Sequence, residues 1–341
     1  MLPTTTPRPH RRLRHCVAAT ETLQMMTELL PPVADAVLIW CGVFTLSSIT
    51  HALLYPPLQR RSAAVSAASA ADLRLLWGLL PALAAGAVTW LVLNPALSAP
   101  LIPVHCHGLN CAPHPPLPEA HPALRVGVAA VTGGLALALC GAVALLAWRV
   151  QRRLRTLFSL SRAAATQRFQ VIDGAAPAAW CVGWWRPQVY VSRSMLDDLS
   201  ARELRVVLAH EYAHQRRRDN LRRAALAIAT VLWPGSLRQQ LLHDYHTATE
   251  MACDRAALQV SGDATLVARV IARLEGKPAA TGNHGRAENT ADAARDRIRA
   301  LNAAPHRPTY LAGLLAAIAS LWLLQVCVGT ALAHIGLELA H

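Results

Sequence analysis

Residues Val207-Leu208-Ala209-His210-Glu211-Tyr212-Ala213-His214 carry the pattern H-E-x-x-H. On a helix, positions four apart share a face, so His210 and His214 project together. Two imidazoles so placed can hold one zinc ion, and Glu211 is set to act as general base on an attacking water. The helix itself is well specified. Ser200-Ala201-Arg202-Glu203 has the capping-box form, with Ser200 as N-cap and Glu203 reaching back to it. Leu204, Val207 and Leu208 follow at helical spacing. The five-residue motif also arises by chance on solvated helices, so its weight depends on what the rest of the chain supplies.

Zinc in a hydrolytic site needs a third protein ligand and one position left open. After a gap of 35 residues comes Glu250-Met251-Ala252-Cys253-Asp254. Glu250 and Asp254 are again four apart, so one helix offers both carboxylates. Glu250 is expected on the metal. Asp254 is expected to accept a hydrogen bond from the far nitrogen of a ligand histidine. His243 and His246 compete as ligands, and with Tyr245 they are the candidate donors to the developing oxyanion.

The surroundings of this segment are apolar. The chain has 341 residues, 53% hydrophobic and only 16% charged, with a mean hydropathy of +0.28. Such a composition excludes a disordered protein and argues against a simple soluble enzyme. The apolar excess is gathered into stretches long enough to span a bilayer: 36–55, 75–93, 126–148 and a fourth within 309–341. Arginine counts give an orientation. Arg60, Arg61 and Arg74 follow the first stretch, and Arg149, Arg152, Arg153 and Arg155 follow the third, whereas loop 94–124 has no Lys or Arg. Basic loops stay in the cytoplasm, so 149–308 is expected inside and loop 94–124 in the periplasm. Arg8, Arg11, Arg12 and Arg14 oppose this topology; a start at Met25 or Met26 would remove them, leaving 1–30 as an extension that is not wholly translated. The membrane region is thus 31–148, with 309–341 as the last span and a short external tail.

Two further patterns bear on partners. Cys106 and Cys111 stand in the periplasmic loop and are expected to form a disulfide; a metal or redox sensor with His105, His107 and His114 is the alternative. Segment 149–308 holds 25 of the 33 basic and 14 of the 20 acidic residues, an excess of eleven positive charges. No nucleic-acid recognition motif accompanies this excess, so direct nucleic-acid binding is not expected. Attraction to an anionic inner leaflet accounts for it.

The run His210-Glu211-x-x-His214-x-x-Arg217-x-Asp219-Asn220, then Trp233-Pro234, then Glu250-x-x-Cys253-Asp254, resembles the BlaR1/MecR1 family of membrane zinc metallopeptidases, the M56 family. Val182-Gly183-Trp184-Trp185-Arg186-Pro187-Gln188-Val189-Tyr190-Val191-Ser192 and the helix start at Leu199-Ser200 are similar as well. The pattern of three spans before the peptidase segment and one after it also agrees. The resemblance implies a mainly α-helical integral membrane protein of the bacterial inner membrane with four transmembrane helices. A cytoplasmic gluzincin-like α+β zinc-peptidase domain would be inserted between helices 3 and 4. It implies zinc on His210, His214 and Glu250, with Glu211 as catalytic base. It implies that Gln188, Val189, Tyr190 and Val191 form a strand whose exposed edge pairs with substrate, the alternative being an internal strand. Arg217 and Asp219 are expected to pair with each other or anchor the next helix, without chemistry, and 277–308 to be a polar linker open to self-cleavage.

The chain is expected to depart from the best-known members in lacking a penicillin-binding sensor domain after the last span. The function implied is cleavage of a cytoplasmic protein, such as a BlaI-like transcriptional repressor, in signal transduction. The rivals are an HtpX/Ste24-like membrane quality-control protease, a non-enzymatic membrane signalling scaffold, and a DNA-binding membrane regulator. The His214-x-x-Arg217-x-Asp219-Asn220 run weighs against the first of these.

Overall fold

Long apolar helices and a capped motif helix are the elements this sequence calls for, and the computed structural model contains both. It describes residues 33, 35–102, 169–173, 176–275, 284–302 and 308–339. The expected third span at 126–148, the Cys106 and Cys111 loop and the extension 1–30 lie outside the described residues.

Three described helices are long and apolar enough to cross a membrane: Asp35–Leu53, Ala67–Val92 and Tyr310–Gly336. Their outward faces are apolar, with Leu53 65% and Leu324 60% exposed, a surface suited to lipid rather than to water. The second helix begins at Ala67, about two turns before the expected 75. The Ser66 hydroxyl accepts from the Ser69 backbone N–H and caps it there. Asp72 and Arg74 therefore ride on the helix rather than in a preceding loop.

The described chain divides into two compact units. One holds residues up to Thr45, those from Leu83 and those from Trp322, around a core of Ile39, Ala84, Val88, Val92 and Val326. The other joins Leu46–Ala82 to the segment that carries the H-E-x-x-H motif. Within this second unit the Tyr55 hydroxyl donates to Asp244 at 2.6 Å and Gln240 donates to Gln59 at 2.9 Å. Gly78 lets the Ala67–Val92 helix approach closely, since a Cβ there would collide with Leu226.

The segment that carries the H-E-x-x-H motif is α+β. Its sheet has three strands, β1 (Gln170–Ile172), β2 (Ala179–Val182) and β3 (Gln188–Ser192), in the order β1-β3-β2. β1 runs parallel to β3 and β2 antiparallel. The β2–β3 turn needs Gly183, whose φ is +119° and where a Cβ would lie 3.0 Å from Pro187 Cα. The central strand is β3, and Val189, Tyr190 and Val191 are fully buried. This corrects the expectation of an exposed substrate-pairing edge at Gln188–Val191: both edges of that strand are already hydrogen-bonded.

The motif helix (Ala201–Arg217) starts as expected. Ser200 Oγ accepts from the Glu203 N–H, and the Ser200 N–H donates to Glu203 Oε2 at 2.9 Å. It ends at Arg218, whose φ of 54° makes it the one non-glycine residue with positive φ among the described residues. A short helix (Asp219–Ala229) follows, and after Pro234 comes the carboxylate helix (Gly235–Ser261), closed by Gly262 in the left-handed region. Helices Ala264–Glu275 and His284–Leu301 complete the layer. The core between helices and sheet is built from Val189, Val191, Met195, Val207, Ala257, Val270 and Ile271. The expected linker 277–308 is thus corrected: most of it is a helix, whose Ala294, Ile298 and Leu301 pack into this core.

Candidate active site

The motif and carboxylate helices pack side by side, which brings their i and i+4 pairs face to face. His210 Nε2 and His214 Nε2 lie 3.1 Å apart. Glu250 places Oε2 3.4 Å from the first nitrogen and Oε1 3.4 Å from the second. A tetrahedral zinc with bonds of about 2.0–2.1 Å has ligand atoms roughly 3.3 Å apart. The spacing fits.

The protonation pattern points the same way. His210 Nδ1 meets Asp254 Oδ1 at 3.0 Å, and His214 Nδ1 meets Asp219 Oδ2 at 2.9 Å. A neutral imidazole that donates from Nδ1 carries its lone pair on Nε2. Two such lone pairs and a carboxylate then converge on one point, an arrangement of acceptors that only a cation satisfies. Without one, a proton takes its place. Burial opposes charging of His210, but its bonds to Asp254 and Glu250 push its pKa up to about 9. Burial likewise opposes ionisation of Glu250, yet His210, His214 and Arg297 hold it at about 2.

His214, Asp219 and Cys253 form a second grouping of possible metal donors. Burial and the nearby carboxylates push the Cys253 thiol up, so it stays protonated and faces Asp219 at 3.9 Å as a donor.

Sequence reasoning missed three residues. Asp219 was assigned no chemistry, yet it holds the second motif histidine while also accepting from Arg217 Nε at 3.2 Å. It reaches His214 only because the chain breaks at Arg218 and turns back. Arg297, from the helix read as linker, grips Asp254 through Nε at 2.7 Å and Nη2 at 2.6 Å and stands 3.4 Å from Glu250. Arg223 lines the cleft beside the histidines. The first was expected only to pair with Arg217 or anchor the next helix, a pairing that is present, and nothing local marked the other two.

Glu211 opens onto a cleft of about 240 Å³ shared with His210, His214, Tyr245 and His246. Burial raises its pKa, against the pull of both histidines and a hydrogen bond from the Cys181 backbone. Ala179, Trp180 and Cys181 of β2 form one wall. Among the described residues β2 pairs only with β3, so β2 is the strand with an open edge at the site. Asn220 Nδ2 fixes it by donating to the Cys181 carbonyl at 2.9 Å, and Gln215 donates to the Pro187 carbonyl at 2.7 Å. Of the expected oxyanion donors, Tyr245 and His246 line the cleft, with His246 Nδ1 3.6 Å from Glu250. Burial and Asp219 push Tyr245 up to about 12, so it keeps its proton to donate. His243 is exposed on the same helix, about one turn before His246, and does not line the cleft. A second cavity of about 200 Å³ touches Glu211 and Glu250 from the other side and is walled by Val206, Val267, Val270 and Ile271.

No curated protein and no solved structure is found to match the chain. A model of Peptidase family M48 matches residues 144–307, just under half of the chain and the whole of the site just described. That match supports zinc peptidases and does not select the BlaR1/MecR1 (M56) family. H-E-x-x-H with a later glutamate and aspartate is too short a signature to separate the two, and Arg217, Asp219 and Asn220 act here as supports. The segment is a metallopeptidase, a peptide-bond hydrolase borne on a chain with helices apolar enough for a membrane.

Proposed function

We propose that the protein is a membrane-embedded zinc metalloendopeptidase of the HtpX/Ste24-like kind, cutting polypeptides at the cytoplasmic face of the bacterial inner membrane. The observation that carries this is the convergence of His210, His214 and Glu250 acceptor atoms within 4.8 Å, with Glu211 beside them. Zinc in such a site supplies Lewis acidity to the attacking water and the scissile carbonyl. Glu211 takes the proton of that water and hands it to the leaving amine, a task that its burial-raised pKa suits. Tyr245, His246 and Arg223 face the space where the carbonyl oxygen gathers charge. The open edge of β2 offers backbone groups to an extended substrate, and the apolar cavity takes a side chain next to the scissile bond. The eleven excess basic residues of 149–308 favour an anionic leaflet, and a nucleic-acid partner is not part of this reading.

The Arg217-x-Asp219-Asn220 run favours a second reading, a BlaR1-like peptidase that cuts a cytoplasmic BlaI-like repressor. Glu211→Gln separates the readings. It is expected to keep zinc and to lose at least about 10³-fold in peptide cleavage. Undiminished cleavage would remove the mechanism. Used as a trap in cells, the variant retains unfolded membrane proteins on the first reading and one soluble regulator on the second.

A further inference from the structure

Behind His214 the chain of contacts continues past Asp219. Arg217, the last residue of the motif helix, donates from Nε to Asp219 and from Nη2 to Asp72 Oδ1 at 3.5 Å. Arg222 Nη1 donates to the same Asp72 oxygen at 2.7 Å. Asp72 belongs to the Ala67–Val92 helix, one of those apolar enough to cross a membrane. We propose that Asp72 is a positioning residue for the metal ligand His214, acting through Arg217 and Asp219. This rests on the zinc-peptidase reading.

The reasoning is geometric. Asp219 uses one oxygen for His214 and the other for Arg217, so the angle of its carboxylate follows the guanidinium. Arg217 is fixed at two points only while Asp72 holds its far end. Asp72 also occupies Arg222, a second cation only three residues beyond Asp219. Without Asp72, the far end of Arg217 is released, and its guanidinium turns to Asp219 and draws it from the imidazole. Asp72 is 53% exposed whereas Asp219 is 8% exposed. An exposed pair adds little to folding stability, so the effect of Asp72 falls on ligand geometry. The metal site is thereby referenced to a helix whose remainder suits lipid.

The test uses the full chain in detergent and reads zinc release to a chelator together with kcat and KM on a peptide. Groups directly behind a metal ligand change affinity about 10–100-fold, and Asp72 stands two layers further out, beyond Asp219 and Arg217. Asp72→Ala is expected to speed zinc release about 5-fold and lower kcat with KM unchanged. Asp72→Glu restores most of the loss. In an Arg217→Ala background, Asp72→Ala adds nothing. Should Asp72→Ala fail to fold, Asp72→Asn keeps the shape without the charge and carries the same expectation. Wild-type zinc release in both variants, or additivity with Arg217→Ala, overturns the proposal alone. Wild-type protein that holds no zinc near stoichiometry overturns the peptidase reading and this proposal with it.

Discussion

The two motif histidines are supported by the same sequence of groups, carboxylate then arginine, yet the two supports differ in construction. Behind His210 stands Asp254, 2% exposed, clamped bidentately by Arg297 at 2.6 and 2.7 Å. Behind His214 stands Asp219, held by one guanidinium contact at 3.2 Å. The first support is buried and joins helices far apart in sequence. The second lies within one helix break and leads outward to Asp72. Bidentate arginine–carboxylate pairs fix geometry as well as charge. His210 is therefore the more firmly braced imidazole and His214 the less.

The harshest way to break this comparison is to remove the group both arms share. Glu250→Ala takes away the carboxylate that bridges the two Nε2 atoms, and zinc content is expected to fall below about a tenth of stoichiometry. Full occupancy by metal analysis would mean that His246, 3.6 Å from Glu250, is the third ligand.

Next come the two aspartates. Asp254→Ala removes the bidentate partner of a mostly buried Arg297, a loss of about 3 kcal/mol in stability together with weakened zinc. Asp219→Ala leaves Arg217 its contact with Asp72, so zinc affinity is expected to drop about 10-fold with a smaller change in unfolding. Chelator competition and thermal unfolding of both variants check the order, and a larger stability loss for Asp219→Ala would reverse it. A smaller effect tests the cleft wall. Asn220→Ala releases the Cys181 carbonyl of β2 and is expected to raise KM about 3-fold while zinc stays unchanged.

How much of this was legible in the sequence follows from the range of each interaction. Ser200 with Glu203, His210 with His214 and Glu250 with Asp254 are local pairs on helices, and each stands where spacing places it. Asp219 depends on an arginine adopting the left-handed region, a conformation that no arginine advertises. Arg297 reaches Asp254 across 43 positions from a polar stretch that resembles a linker. The strand order is also non-local. Val189-Tyr190-Val191 is a continuous apolar run, the mark of a strand covered on both faces, and read that way it points to a central place rather than an edge.

The gentlest probe is pH, applied to the zinc-free protein. Glu250 falls from an ordinary 4.5 to about 2 in the folded state, so its contribution is complete above pH 4.5 and is lost as pH falls toward 2. His210 rises from an ordinary 6.5 to about 9, so its contribution is complete below pH 6.5 and is lost as pH rises through 9. The part of the zinc-free protein's stability that Glu250 and His210 supply is therefore expected to be complete between about pH 4.5 and 6.5 and to decline on both sides. Zinc needs the neutral imidazole, so loading it removes the alkaline decline. Asp254 supplies the first of the bonds that raise His210, and Asp254→Asn is expected to shift the alkaline limb to lower pH. Urea unfolding across this range measures both limbs. An alkaline limb unmoved by Asp254→Asn would place the rigidity of the first support elsewhere than in its carboxylate.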